Sequence, residues 1–299
     1  MTVRSFPREW LNAARVAALA AVVIAVAAWA YANGVQKRSP EAGRRSRTPV
    51  FVGYGGRSIV LTGVWSLRTG WRGTDDPSFG AHLPRSAKWS LYHIGRVPVV
   101  TAGGAPHTAQ ERSGQRYYCV DLAASADALA HAPGEPADWL AVSGPATADR
   151  RQVTVLPTTQ DSLVEEVRRR LGSPGLWQSP HSRVVQNIAL DLNGDGRQDR
   201  LVTVNNGLFG DSNFIVAAWR PGKRALRLSV LARTVTSREE RPDDDRVLAA
   251  RVFAVGDVNG DGLAEVAVSW GIPDGNGMDL YQFEPRGFRR VIHAVFVGA

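Results

Sequence analysis

Cysteine is nearly absent from this 299-residue sequence: Cys119 stands alone, so no intrachain disulfide can form. It sits in Arg116-Tyr-Tyr-Cys-Val-Asp121, a strand-like run, with no His/Asn partner pattern to make it a nucleophile. Its reading is a buried, inert thiol. Lysine is scarce too, so the net charge of +8 is carried by arginines dispersed along the chain. No basic stripe interleaved with aromatics appears, which argues against a nucleic-acid partner. Phosphate loops, zinc spacings and serine elbows are also missing. Gly53-Tyr-Gly-Gly56 lacks the strand–loop–helix context of a nucleotide site. His82, His93 and His107 match no metal-ligand spacing.

The composition is otherwise that of a globular protein, with 44% hydrophobic and 21% charged residues, enough to build a large core. Thirty glycines and 17 prolines between short apolar runs favour β-structure with many turns. The N-terminus stands apart. Arg4, Arg8 and Arg15 precede an unbroken apolar run from Val16 to Ala32. A basic region followed by an apolar one is the form of an export signal, and Ala30-Tyr31-Ala32 fits a cleavage site. The same 17 residues reach the lower limit of a membrane span, so residues 1–34 read equally as cleaved signal or retained anchor. Residues 35–49 form a polar linker with Lys37, Arg38, Arg44, Arg45 and Arg47. Positive charge there opposes translocation, and it would also suit contact with anionic lipid.

Residues 50–158 alternate strand-like runs with turns: 58–62, 64–67, 89–94, 97–101, 116–122, 139–142 and 152–156. They predict a β-rich domain of no evident type. A helix is predicted from Ser162, where Ser162-Leu-Val-Glu165 has capping-box form. Leu163, Val167 and Leu171 share one face, and Gly172 with Pro174 ends it. Residues 159–182 are thus a helix and connector.

Two matching units fill residues 183–299. Strands are predicted near 184–190, 200–205, 213–219 and 225–232, and again near 248–256, 264–270, 278–284 and 288–296. The first two strands of each unit are joined by an acidic loop: Asp191-Leu-Asn-Gly-Asp-Gly-Arg-Gln-Asp199 and Asp257-Val-Asn-Gly-Asp-Gly-Leu-Ala-Glu265, starting 66 residues apart. Calcium is a hard cation that takes six to eight oxygens. Loop positions 1, 3 and 5 supply Asp191, Asn193 and Asp195, then Asp257, Asn259 and Asp261. Gly196 and Gly262 make the sharp turn at position 6. Arg197 and Leu263 offer backbone carbonyls at position 7, so their side chains are free to vary. Asp199 and Glu265 close the shell at position 9. An EF-hand needs glutamate at position 12, where Val202 and Val268 stand. An acidic Asx turn without metal is the competing reading, weakened by the second copy.

The strand–DxNGDGxx[DE]–strand pattern resembles the FG-GAP/VCBS repeat family, known from integrin-type propellers and bacterial surface proteins. The resemblance implies calcium in each loop, held by the matching residues, and a role in adhesion or binding. The expected fold is mainly β, with antiparallel four-stranded propeller-blade-like repeats, one short helix and an N-terminal membrane or signal segment. Two units cannot close a propeller ring. Either residues 50–158 add blades or the two sheets pack as an open pair. The expected protein is an exported bacterial calcium-binding module, secreted or anchored facing outward, with a protein or glycan partner or a structural role. Calcium modules outside the cell bind at about 10⁻⁴–10⁻³ M, which fits export. The alternative is a secreted hydrolase with its active site in 50–158, where Asp75, Asp76, Asp121 and Asp138 are the acids to inspect.

Overall fold

The computed structural model describes residues 49–77, 79–83, 87–110, 116–124, 129, 138–143, 153–158, 162–172, 182–206, 212–221, 225–235, 248–272 and 275–297. Every described residue belongs to one compact unit, Arg45–Ala299. The expected export segment 1–34, and the linker up to residue 48, fall outside the described residues. Among the described residues no helix is long and apolar enough to cross a membrane.

The protein is mainly β, and every strand pairing is antiparallel. Sheet I holds β1 (Val50–Gly55), β2 (Ser58–Ser66), β3 (Gly70–Gly73), β4 (Ala87–Tyr92), β5 (Val99–Gly103), β6 (His107–Gln110), β7 (Arg116–Asp121) and β8 (Trp139–Ser143). Its order is β5-β4-β8-β1-β2-β7-β6, with β3 also on β2. Sheet II holds β9 (Thr154–Leu156), β10 (Arg183–Leu190), β11 (Asp199–Asn206), β12 (Ser212–Trp219) and β13 (Arg227–Val235), ordered β13-β12-β11-β10-β9. Sheet III is the meander β14 (Leu248–Gly256), β15 (Glu265–Ile272), β16 (Gly275–Glu284) and β17 (Gly287–Val297). No sheet closes into a barrel. Between β3 and β4 lies a 3-10 turn, Phe79–His82, and between β9 and β10 a helix, α1, Ser162–Gly172.

Sheet III is the middle layer. One face packs on sheet II: Val252, Val266, Val268, Tyr281 and Phe283 meet Ile188, Leu190, Leu201, Ile215 and Trp219. The other packs on sheet I: Phe253, Ala254, Ala267, Met278, Leu280 and Ile292 meet Val52, Tyr54, Leu140 and Val142. A sheet covered on both faces needs apolar residues on both. That is why β15 runs Val266-Ala267-Val268 without alternation, every one of them buried. The small residues of β14 and β15, Ala254 and Ala267, leave room for aromatic pairs such as Tyr54 with Phe253, whose rings meet edge-on at 5.6 Å.

The outer layers are capped. The far face of sheet II is covered by α1, whose Val164, Val167 and Leu171 pack on Val202, Phe214 and Val216. Leu163, expected on the same face as Val167 and Leu171, is only partly buried at its flank. The far face of sheet I buries Phe51, Leu61, Trp89, Leu91 and Trp139 under the 3-10 turn residue Phe79 and under Leu129. Burying each of the larger aliphatic side chains contributes about 1.5–3 kcal/mol. β9, read from the sequence with the region before it, pairs with β10 as the edge of sheet II.

Candidate metal centre

The first acidic loop joins β10 to β11 and the second joins β14 to β15. Each is pinned to the core by its second residue. Leu192 is buried between sheets II and III, and Val258 is buried toward sheet I. Each loop then turns on two glycines, not one. Gly194 and Gly196 have φ of 72° and 81°, and Gly260 and Gly262 have 75° and 86°. These left-handed angles favour glycine and curl the chain so that alternate side chains point to one centre.

The hydrogen bonds give the detail. In the first loop the Asp195 N–H is shared by Asp191 Oδ1 at 3.1 Å and Asn193 Oδ1 at 2.9 Å. The oxygens of positions 1 and 3 therefore converge. Gly196 N–H donates to Asp191 Oδ2 at 2.7 Å, Arg197 N–H to Asp195 Oδ1 at 3.0 Å, and the Asn193 amide to Asp195 Oδ2 at 3.3 Å. The second loop repeats most of the set. Asp261 N–H donates to Asn259 Oδ1 at 2.8 Å, Gly262 N–H to Asp257 Oδ2 at 2.9 Å, and Leu263 N–H to Asp261 Oδ1 at 2.8 Å.

Position 9 is the most deeply buried polar residue of each loop. Asp199 is 2% exposed and Glu265 is fully buried. Each puts one oxygen on the N–H of position 2: Leu192 to Asp199 Oδ2 at 3.1 Å, Val258 to Glu265 Oε2 at 2.8 Å. The second oxygens part ways. Asp199 Oδ1 accepts the Arg220 N–H at 3.4 Å. The longer Glu265 reaches the Asn259 amide at 2.9 Å, and that amide also donates to Asp261 Oδ2 at 3.1 Å. In the second loop an NH₂ group thus stands between two carboxylates, and Asn259 is only 1% exposed. Gln282 on β16 adds a further donor, Nε2 to Asp261 Oδ2 at 3.0 Å. Burial pushes the Asp199 carboxyl up to about 7; the Leu192 and Arg220 N–H groups oppose this and the charges of Asp195 and Asp191 reinforce it.

The two loops are neighbours. Ala264 N–H donates to the Leu192 carbonyl at 3.4 Å, and a Cβ on Gly194 would come within 3.2 Å of the Gly262 carbonyl oxygen. Among the described residues, no group of three or more His, Cys, Asp or Glu side chains is gathered closely enough to count as a metal cluster. The side-chain oxygens at positions 1, 3 and 5 instead close onto loop N–H groups, as Asx turns do. Chemically the donor set suits a hard cation: every candidate ligand offers oxygen, none nitrogen or sulfur.

Positions 1, 3, 5, 7 and 9 of the sequence reading are all in these two loops. Residues the reading did not single out are Leu192 and Val258, which anchor the loops, and Gln282. Only the apolar position 2 of the two copies carried a sequence signal for any of them. The other sequence candidates are scattered. Cys119 is buried in β7. His93 is buried against Trp139 and bonds the Ile94 carbonyl at 2.9 Å, while His107 lies 3.9 Å from Asp121. Asp76 pairs with Arg72 at 3.0 Å, and Asp138 bonds the buried Tyr54 hydroxyl, which raises the tyrosine pKa after the larger effect of burial. Asp76, Asp121 and Asp138 therefore each engage a different partner. No family model, no curated protein and no solved structure matches the chain.

Proposed function

We propose that this is an exported calcium-stabilised β-repeat protein, of the FG-GAP/VCBS kind, whose module binds a protein or glycan partner or serves a structural role in a bacterial envelope. The observation that carries the reading is the likeness of the two loops. They share four left-handed glycines, the same bonds from the N–H groups of positions 5, 6 and 7, and a buried carboxylate at position 9. Sheet III and the first four-stranded run of sheet II, β10 to β13, are up-and-down meanders like propeller blades.

In this reading the first ion is held by Asp191, Asn193, Asp195, the Arg197 carbonyl and Asp199, and the second by Asp257, Asn259, Asp261, the Leu263 carbonyl and Glu265. The ion supplies charge neutralisation and cross-links each loop to the strand behind it. The chain's own residues do the rest. Leu192 and Val258 hold the loops against the core, and the glycines aim the oxygens. Retention outside the cell, by cleavage or by the 16–32 anchor, would keep such sites in calcium-rich surroundings.

The test is a thermal melt of the full-length chain with calcium and with chelator. Calcium should raise the melting temperature of the parent and leave the Asp191→Asn/Asp257→Asn double variant unmoved. A parent whose melting temperature is the same with chelator and with calcium would sink the proposal.

A further inference from the structure

Away from the acidic loops, sheet III carries a second polar cluster, built around Asp279 of β16. The Asp279 side chain is 7% exposed. Its Oδ1 lies 2.6 Å from His293 Nδ1, and its Oδ2 takes the Tyr281 hydroxyl at 3.1 Å and Arg290 Nη1 at 3.4 Å. A buried carboxylate costs more than an apolar residue of the same size unless its partners repay the lost hydration. Here two of the three partners are half in solvent: His293 is 47% and Arg290 51% exposed.

The imidazole is fixed on a second side. Its ring stacks on Trp270 of β15, centroids 5.5 Å apart and planes within 15°. Trp270 reaches it by lying across β16 at Gly277, where any Cβ would run into the indole ring. The indole N–H is buried with no acceptor among the described residues, so the ring is placed for its face and not for its hydrogen bond. Three strands thus cooperate to hold one exposed histidine: a glycine cleared on β16, a platform from β15, and a carboxylate that accepts at Nδ1.

We infer that His293 and Arg290, clamped side by side by Asp279, form a binding site for a tetrahedral oxyanion, a phosphate or sulfate group. With Nδ1–H given to Asp279, Nε2 is left on the far side of the ring, and Arg290, held on the other oxygen of the same carboxylate, brings a second cation to the cluster. Charge-assisted bonds from an imidazolium and a guanidinium are the strong way to hold such a group. Asp279, bonded to Nδ1 on the side away from the anion, fixes the ring orientation. Sulfate carries no hydrogen of its own at neutral pH. It can only accept, so the ring must meet it with Nε2–H while Nδ1–H stays on Asp279. Asp279 from β16 bonds the ring directly, Arg290 from β17 shares that carboxylate, and β15 presents the uncharged Trp270.

The experiment titrates the full-length chain with sulfate and inorganic phosphate, then with methyl sulfate and methyl phosphate, following the His293 side-chain resonances by NMR. Saturable shifts are expected, weakened about tenfold in Arg290→Gln and largely kept in Arg290→Lys. Tighter binding of the esters assigns a group carried on a larger molecule, and tighter binding of the free ions assigns the ion itself. Asp279→Asn should weaken sulfate binding with the Trp270 near-ultraviolet signal retained. If no probe shifts the His293 resonances of the parent saturably, or if Arg290→Gln binds as the parent does, the oxyanion site is wrong.

Discussion

The side-chain amide of Gln186 binds the backbone of Val252 at both ends: Nε2 donates to the Val252 carbonyl at 2.8 Å, and Oε1 accepts the Val252 N–H at 3.0 Å. β14 is an edge of sheet III, so these two backbone groups have no ladder partner of their own. Gln186 supplies one, as a strand residue would, and joins sheet II to sheet III. The two residues are 66 apart, the spacing of the acidic loops, so equivalent positions of the two repeats meet.

Gln186→Leu should therefore lower stability out of proportion to the small change in volume. It leaves the Val252 N–H and carbonyl, and the Thr203 hydroxyl that donates to Oε1 at 2.9 Å, without their partner. The expected loss is about 2 kcal/mol, read from urea denaturation at constant m-value. A loss under about 0.5 kcal/mol would mean that solvent satisfies these groups and the strut carries nothing.

Asp199 sets a pH dependence in metal-free protein. Its folded pKa is raised to about 7 from 3.8 by burial, so the folded chain binds more protons than the unfolded chain between those values. Stability then falls as pH rises through that window and is greatest at its acid end. Urea midpoints in chelator should be higher at about pH 5 than at about pH 8 on this group's account, and Asp199→Asn should flatten the difference. A variant with the parent's slope assigns the dependence to other groups.

Trp270 and Gly277 depend on each other. Gly277→Val forces the indole off the sheet and breaks its stack on His293. Overpacking of this kind costs about 1–3 kcal/mol. The near-ultraviolet circular dichroism of Trp270 should change with it, while Trp270→Phe with Gly277→Val should recover part of the loss. An unchanged spectrum in the single variant would contradict the flat placement of the ring.

Much of the repeat module was legible because its signals are local. The acidic loops mark strand ends, and turn residues such as Pro285 mark others, so the eight strands of the two repeats lie within two or three residues of their expected bounds. β1 was not legible. No strand-like run is read before Ser58, yet Val50–Gly55 is a strand, and Gly53 sits in a bulge where a side chain would press on the Val60 carbonyl. The glycine answers a packing demand from another strand. Nor does any local pattern show that β8 lies between β4 and β1, or that β9 completes sheet II. In the loops, oxygen positions follow from spacing alone, while Gln282 comes from a strand 21 residues on and is found only when β15 and β16 pair.

The two loops should respond differently to loss of their asparagine. Asn259 is buried and its amide joins Asp261 to Glu265, whereas Asn193 is partly exposed and its amide reaches Asp195 alone. Asn259→Ala removes the one donor set between two carboxylates and leaves Glu265 buried beside Asp261 with less to offset their repulsion. The expected cost is about 2–3 kcal/mol in chelator, against about 0.5 kcal/mol for Asn193→Ala, where water replaces the lost bond. Hydrogen exchange gives an independent reading. In chelator the amides of Val258 and Leu263 should exchange more slowly than those of Leu192 and Arg197, because the second loop is closed by more buried bonds. Calcium should narrow the gap by ordering the first loop. Equal costs for the two asparagines, with equal exchange in the two loops, would show that burial of the second loop confers no added order.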